Sequence, residues 1–360
     1  MEPEGSGTLM LHLLGKCNLT CAHCYMDGAP ARRERLSLNH VIDAISDCAA
    51  LGVGNLYLTG GEPLMYRELP AVLEAASGAA GLQTTLCTNA TLLTTRNIGC
   101  IAASGASLNV SVDGKPQYHD EFRRVPGAFA KTETGVKLAV AAGVPVSLVM
   151  TVSQANIAQA PFVADWALEA GVGAIRFQPL LRLGRGASIA DQRLADAEIA
   201  DLVMLVSDLA NRHRDRLTCS IIGHSRRFIL AHPCAAYVCN GTGCHRRIAR
   251  EIKKIVVREN GMILPEATNL DPRFAIGRIS DGRLTTLVEK FLDGDYRRFD
   301  ALCRQTYATV LPRWEAAVVP WDQILAEASH SASENPEVDP IADGVCGSNR
   351  SEPGRELALH

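Results

Sequence analysis

Cys17, Cys21 and Cys24 place three thiols on one short stretch, with three residues between the first pair and two between the second. Three thiolates on a loop bind three irons of a 4Fe–4S cube and leave the fourth iron open to an incoming molecule. Pure electron carriers ordinarily use four cysteines. A structural zinc site is the competing reading, but zinc wants a fourth protein ligand. Further on, Thr59-Gly60-Gly61-Glu62-Pro63 ends an apolar run. Glycine lacks a Cβ and lets backbone come close to something, while Glu62 offers a carboxylate there. A second cysteine group comprises Cys234, Cys239 and Cys244, four residues between each, with Cys219 upstream and Cys303 far downstream. Ala235, Ala236, Asn240, Gly241 and Gly243 fill the intervals with small and turn-forming residues, which lets a loop wrap a second, auxiliary iron–sulfur cluster. The competing reading is surplus thiols. Cys48, Cys87 and Cys100 sit in apolar helix or strand contexts and read as buried structural cysteines.

The elements that carry these residues follow a repeated pattern. Leu51-Gly52-Val53, Ser104-Gly105-Ala106, Ala142-Gly143-Val144 and Ala170-Gly171-Val172 each end a helical stretch at a glycine and begin an apolar strand. The strands read as Leu9–Leu14, Asn55–Thr59, Gln83–Thr88, Ser107–Val112, Pro145–Thr151 and Ala174–Gln178. The helix over Leu38–Leu51 is apolar at Val41, Ile45 and Cys48, and Ser37 is its N-cap. Six βα units in series imply a parallel sheet with right-handed crossovers. Six instead of eight imply a partial, open barrel with its active site at the C-terminal strand ends. A helix is expected over Asp196–Arg212. From about Leu217 a different region begins, with a hairpin of Ile252–Val257 and Met262–Leu264 around Glu259-Asn260-Gly261. Helices follow near Leu284–Phe291 and Tyr296–Cys303. The expected organisation is a barrel over 7–214, an auxiliary-cluster region over 215–328, and a disordered tail over 329–360, where Ser, Glu, Pro, Asp and Gly dominate.

The 360-residue chain carries a net charge of only −3 and no long Lys/Arg run, which argues against nucleic acid as a partner. No signal-peptide core opens the sequence. The longest apolar stretch, Leu138 to Val152, contains Pro145 and Ser147 and is too short to span a bilayer. Twelve cysteines in such a chain read as thiols and metal ligands of a reducing cytoplasm, not as disulfides.

The spacing of Cys17, Cys21 and Cys24 with Tyr25 after it, then Gly60-Gly61-Glu62-Pro63, Thr88-Asn89 and Ser111-Val112-Asp113-Gly114 at successive strand ends, resembles the radical S-adenosylmethionine (SAM) superfamily over residues 7 to 180. The resemblance implies a radical SAM α/β fold, a partial (β/α)6 barrel. Its open iron would chelate the amino and carboxylate groups of SAM, and one electron would release a 5′-deoxyadenosyl radical that takes hydrogen from the substrate. It further implies that Gly60, Gly61 and Glu62 contact the methionine amino group, that His23 contacts adenine, and that Ser111 and Asp113 face the ribose. Arg123 would reach the SAM carboxylate, where its fork is suited to bind. The bland alternatives are a solvated surface charge for Arg123 and a turn residue for Asp113.

The later region resembles the SPASM or shorter twitch extensions of peptide-modifying radical SAM enzymes. There a cysteine precedes a hairpin followed by Gly-x4-Cys; here the hairpin follows Cys244 and Gly261 leads to Glu266 instead. Glu266, Cys219 and Cys303 thus remain open as the fourth ligand of a single auxiliary cluster. The cysteine left over, Cys219 or Cys303, is a candidate hydrogen donor of the kind epimerases use, or is simply buried. The resemblance implies maturation of a ribosomally made precursor peptide, by epimerisation or by carbon-centred cross-linking or ring formation. An external one-electron reductant of flavodoxin or ferredoxin type is expected. The short stretch before the first strand implies that any peptide-recognition module is a partner protein or is absent. Modification of a small molecule or cofactor precursor is the alternative, and a cluster-bearing scaffold without SAM chemistry is the remaining one.

Overall fold

The computed structural model describes residues 7–237 and 252–331. Its first half is an alternation of parallel strands and helices: β1 (Gly7–His12), α1 (Leu38–Asp47), β2 (Val53–Thr59), α2 (Leu69–Gly78), β3 (Gln83–Thr88), α3 (Thr95–Ser104), β4 (Ser107–Ser111), α4 (Pro116–Arg123), α5 (Ala128–Ala141), β5 (Val146–Val152), α6 (Ala160–Glu169), β6 (Ala174–Pro179), α7 (Asp196–Arg212) and β7 (Thr218–Ile221). After it come β8 (His224–Ser225), α8 (Arg226–Ala231), β9 (Lys254–Val257), β10 (Met262–Pro265), β11 (Gly277–Arg278), α9 (Leu284–Asp293), α10 (Tyr296–Thr309), β12 (Val318–Val319) and α11 (Trp321–Ser331).

Local chemistry accounts for the boundaries. Ser37 Oγ accepts from His40 N, as an N-cap should, and α1 buries Val41, Ala44 and Ile45. The chain leaves α1, α3, α5 and α6 through Gly52, Gly105, Gly143 and Gly171, all with φ between 68° and 76°. That left-handed conformation is one glycine adopts without steric cost, so each helix stops where the next strand must begin.

Ten described strands form one sheet in the order β11-β10-β9-β1-β2-β3-β4-β5-β6-β7. Strands β1 to β7 are parallel, and β9 joins the far edge parallel to β1. The fold is therefore an α/β open barrel whose C-terminal hairpin continues the same sheet. Two regions are assigned differently from the sequence expectation. Thr218–Ile221, assigned there to the later region, is a seventh parallel strand paired with β6. Helix α11 runs to Ser331, so residues 329–331 are helical, and the rest of the expected tail lies outside the described residues.

The two faces of the sheet differ in kind. Toward the helices point Leu56, Leu58, Leu86, Leu108, Val110, Leu148, Met150, Ile175 and Phe177, all buried. On the other face, β5 presents Ser147, Val149 and Thr151, β6 presents Arg176 and Gln178, and these are half-buried. Parallel sheets covered on both faces read as continuous apolar runs. Alternation here marks an inner face that stays wet.

Candidate active site

The cysteine loop leaves the end of β1 and is tied to the end of β2 by backbone hydrogen bonds. Leu13 N donates to Thr59 O at 2.9 Å, Gly61 N to Leu14 O at 2.7 Å, and Glu62 N to Lys16 O at 2.9 Å. A Cβ on Gly61 would lie 2.1 Å from Lys16 O, and one on Gly60, at φ 126°, 2.5 Å from Leu14 O. The close approach foreseen at these glycines is thus the loop's own backbone.

Cys17 and Cys21 are buried and Cys24 is half-buried. Leu19 N donates to Cys17 Sγ at 3.4 Å and Gly28 N to Cys24 Sγ at 3.3 Å. Asn89 Nδ2 lies 4.0 Å from Cys17 Sγ, and Arg123 Nη1 lies 4.0 Å from Cys21 Sγ. Burial, then the neighbouring Glu62, pushes the Cys17 thiol up to about 12, and burial raises Cys21 as well. Such thiols keep their protons at neutral pH unless a metal displaces them. Among the described residues no three His, Cys, Asp or Glu side chains converge on a single-ion position. Three thiolates that each bind a different iron need not converge.

Beside the loop, Glu62 is fully buried. Its Oε1 accepts from the Thr88 hydroxyl at 2.6 Å and from Leu64 N at 3.1 Å, and its Oε2 accepts from Asn89 N at 2.9 Å. Burial raises its pKa against the pull of these donors. A carboxylate accepts about four hydrogen bonds, so one position remains for a further donor.

Asp113 and Arg123 are both buried, which sets aside the turn and surface-charge alternatives. Arg123 Nε and Nη2 reach Asp113 Oδ2 at 2.8 and 2.7 Å, and Asp113 Oδ1 accepts from Thr151 N at 3.1 Å. Burial alone would raise Asp113, but the guanidinium outweighs it and holds the carboxyl below its ordinary value. Asp113 thereby fixes the Arg123 fork against the loop at Cys21. His23 stacks on Phe122 at 4.2 Å between ring centroids, its Nδ1 buried without a partner. Burial lowers its pKa to about 4, so the ring is neutral. Ser111 stands half-buried on the inner face at the end of β4.

A neighbouring group escaped the sequence. Tyr25 Oη lies 3.5 Å from His12 Nε2, His12 Nδ1 lies 3.7 Å from Glu259 Oε2, and Arg32 Nη2 bonds Glu259 Oε1 at 2.9 Å. Glu259 belongs to the β9–β10 turn, as the sequence implied; it is buried, and brings the C-terminal hairpin against the cysteine loop. Its partner Arg32 lies 227 positions away, so no local signal marks it. Arg185, in the loop after β6, also clamps the cysteine loop. Its Nε donates to Cys21 O at 2.8 Å, its Nη2 to Gly28 O at 2.9 Å and its backbone N to Cys24 O at 2.9 Å.

Cys219 requires a correction. It pairs in register with Ile175 and packs in the apolar core, on the sheet face opposite the site. A hydrogen donor must reach the inner face, and Cys219 does not. Cys87, read as structural, lies on that inner face, with Asn109 Nδ2 at 4.0 Å from its sulfur. In the second group, Cys239 and Cys244 lie outside the described residues. Cys303 and Glu266 line one small cavity with Ala235 and Lys253, and Lys253 Nζ donates to Cys234 O. Burial raises both Cys303 and Glu266. Glu266 takes φ 60°, unusual for a residue with a side chain.

Residues 12–158 match the model of the Radical SAM superfamily. An AdoMet-dependent heme synthase of Methanosarcina barkeri is 35% identical over 193 residues, covering 52% of this chain and 54% of its own. The sporulation killing factor maturation protein SkfB of Bacillus subtilis is 28% identical over 182 residues, 49% of this chain and 43% of its own. The chain spans about half the length of the curated relatives it matches. Among solved structures, native anSMEcpe with bound AdoMet and Cp18Cys peptide superposes with a TM-score of 0.62 at 15% identity. That likeness of fold covers 89% of this chain and 94% of that one.

Proposed function

Residues 12–158 being a radical SAM domain, we propose that this enzyme modifies a residue of a peptide chain, by epimerisation or by carbon-centred cross-linking or ring formation. A 4Fe–4S cluster on Cys17, Cys21 and Cys24, loaded with SAM, supplies one-electron cleavage of the sulfonium and hydrogen-atom abstraction from a substrate carbon. The chain's own residues prepare the site. Glu62 offers its free acceptor position to the amino group of SAM, with Gly60 and Gly61 holding the loop in place. Arg123, aimed by Asp113, offers a fixed cation for the carboxylate. His23 and Tyr25 wall the site, and Ser111 offers a hydroxyl from the inner face. A one-electron reductant of flavodoxin or ferredoxin type completes the system. An auxiliary cluster on Cys234, Cys239 and Cys244 is part of the proposal, supported by the grouping of Cys303 and Glu266 beside Lys253, which bonds Cys234 O. The cytoplasm is the proposed compartment, supported by the free thiols of the described cysteines; no helix among the described residues is long and apolar enough to cross a membrane.

The observation that carries the peptide proposal is the inner face of the sheet. Thr85, Ser107, Asn109, Ser147, Thr151 and Gln178 line it at register-matched positions, and all but Asn109 are half-buried. A polar, laterally open surface suits the backbone of an extended chain. The heme-synthase relative favours a second substrate class, a cofactor precursor. Co-expression with a short reading frame encoded beside the gene, followed by mass analysis of the peptide, tests the proposal. Deuterium uptake without other mass change marks epimerisation, and a loss of two mass units marks cross-linking or cyclisation. An unaltered peptide alongside turnover of a cofactor precursor would reverse the assignment.

A further inference from the structure

The loop after β6 has a second side, facing away from the cysteine loop. There a cavity of about 370 Å³ opens between this loop, the start of α7 and the segment preceding β12. Arg182, Arg193 and Arg313 line it, with Trp314, Asp196 and Glu315. None of the three arginines has a carboxylate within ion-pair distance or a side-chain hydrogen bond among the described residues. The guanidinium of Arg193 lies 6.0 Å from the Trp314 ring centroid. Burial, then the like charge of Arg182, lowers the pKa of Arg193 against the pull of the Glu327 and Asp196 carboxylates.

Both walls are fixed before any ligand arrives. On one side Arg185 is held to Cys21 O and Gly28 O, and Gln154 N donates to Gln192 O at 2.9 Å. On the other, Trp314 Nε1 donates to Val318 O at 2.9 Å, and Trp314 O accepts from Arg226 Nε. The indole N–H is thus satisfied and the ring is left as an apolar wall. The 17-residue helix α7 starts at the cavity, and the acidic Asp196 and Glu198 of its first turn already meet the positive end of its dipole. Three cations against the carboxylates of Asp196 and Glu315 leave a net lining charge of +1. That balance matches a single carboxylate better than a phosphate dianion, and the cavity is large enough for the group that bears it.

We propose that Arg182, Arg193 and Arg313 form a recognition pocket for one carboxylate of the substrate, a side-chain or C-terminal carboxylate of the peptide, beside Trp314. This rests on the peptide proposal above and adds to it the charge of the segment recognised. The pocket shares its loop with the clamp on Cys21 and Cys24, so a chain anchored there is held by the same segment that braces the cysteine loop.

Calorimetry on the full-length, cluster-loaded protein without reductant tests it with short peptides. One carries a glutamate and an amidated end, one a glutamine and a free carboxylate end, and one a glutamine and an amidated end; inorganic phosphate is the fourth probe. At least one of the two carboxylate peptides is expected to bind about tenfold or more tighter than the neutral one, as charge-assisted bonds allow, and which of them does so tells side chain from terminus. The preference should shrink between about 50 and about 500 mM salt. Arg182→Gln, Arg193→Gln and Arg313→Gln together should abolish it, and Arg193→Lys should weaken it less than Arg193→Gln. Should the triple variant fail to fold, Arg182→Gln and Arg313→Gln singly, both at exposed positions, carry the same comparison. Equal binding of all three peptides, an unchanged preference in the variants, or tighter binding of phosphate would overturn the assignment. Lack of SAM cleavage by the wild-type protein would instead strike the proposed function and leave this binding result standing.

Discussion

Two cysteine groups share this chain, and they are held by different forces. The loop of Cys17, Cys21 and Cys24 is fastened by backbone bonds to β2, by Arg185, and by a buried network through Glu62, Asp113 and Arg123. Of the second group's described cysteines, Cys219 in the sheet core and Cys303 in α10 sit in apolar packing, while Cys234 is half-buried with its carbonyl held by Lys253. Buried polar networks fix geometry but are costly when half-broken, whereas apolar packing tolerates small changes. The first group is built for one arrangement, and equal insults should separate the two regions.

Asp113→Asn should have the largest effect. It leaves the Arg123 charge buried and unpaired, at about 3–5 kcal/mol of stability, read by denaturant unfolding. Gly61→Ala comes next, because its Cβ would meet backbone at Lys16 O and not the flexible end of a side chain. About 3 kcal/mol and a fall in bound iron are expected. A pH series probes the same network through His119, whose Nδ1 accepts from Asp113 N at 3.3 Å. Burial, then Arg123, lowers its pKa from 6.5 to about 3. The folded chain keeps it neutral while the unfolded chain binds a proton first, so its stabilisation is whole above pH 6.5 and is lost as pH falls toward 3. From pH 7 to pH 5 this amounts to about 2 kcal/mol, and His119→Gln should remove that share of the slope. The smallest effect is expected of Cys219→Ser, about 1 kcal/mol for a hydroxyl in the core, with reaction products unchanged. A changed product in that variant would place Cys219 in the chemistry after all.

Much of this was legible because the barrel repeats one rule. Strands alternate, helices stop at left-handed glycines, and functional groups gather where strands end; β3 and α7 fall where the pattern put them. The first strand ends earlier than expected, at His12, because Leu13 and Leu14 are buried under the loop and not in the sheet. Strand β7 escaped because Thr218–Ile221 is too short for two-residue alternation to stand out. The side on which Cys219 falls is set by its register with Ile175, which only pairing reveals. Glu259 was invisible for a related reason, since its burial depends on Arg32 and His12 across the whole chain. Contacts between distant segments are fixed by the assembled sheet and leave no local pattern.

The most direct measurement is the electron paramagnetic resonance of anaerobically reconstituted, reduced protein, recorded before and after adding SAM. The cluster signal should change with SAM in the wild type, and no such signal should survive in the Cys17→Ala, Cys21→Ala, Cys24→Ala variant. Four irons at that loop with a spectrum indifferent to SAM would contradict the assignment of an open iron there.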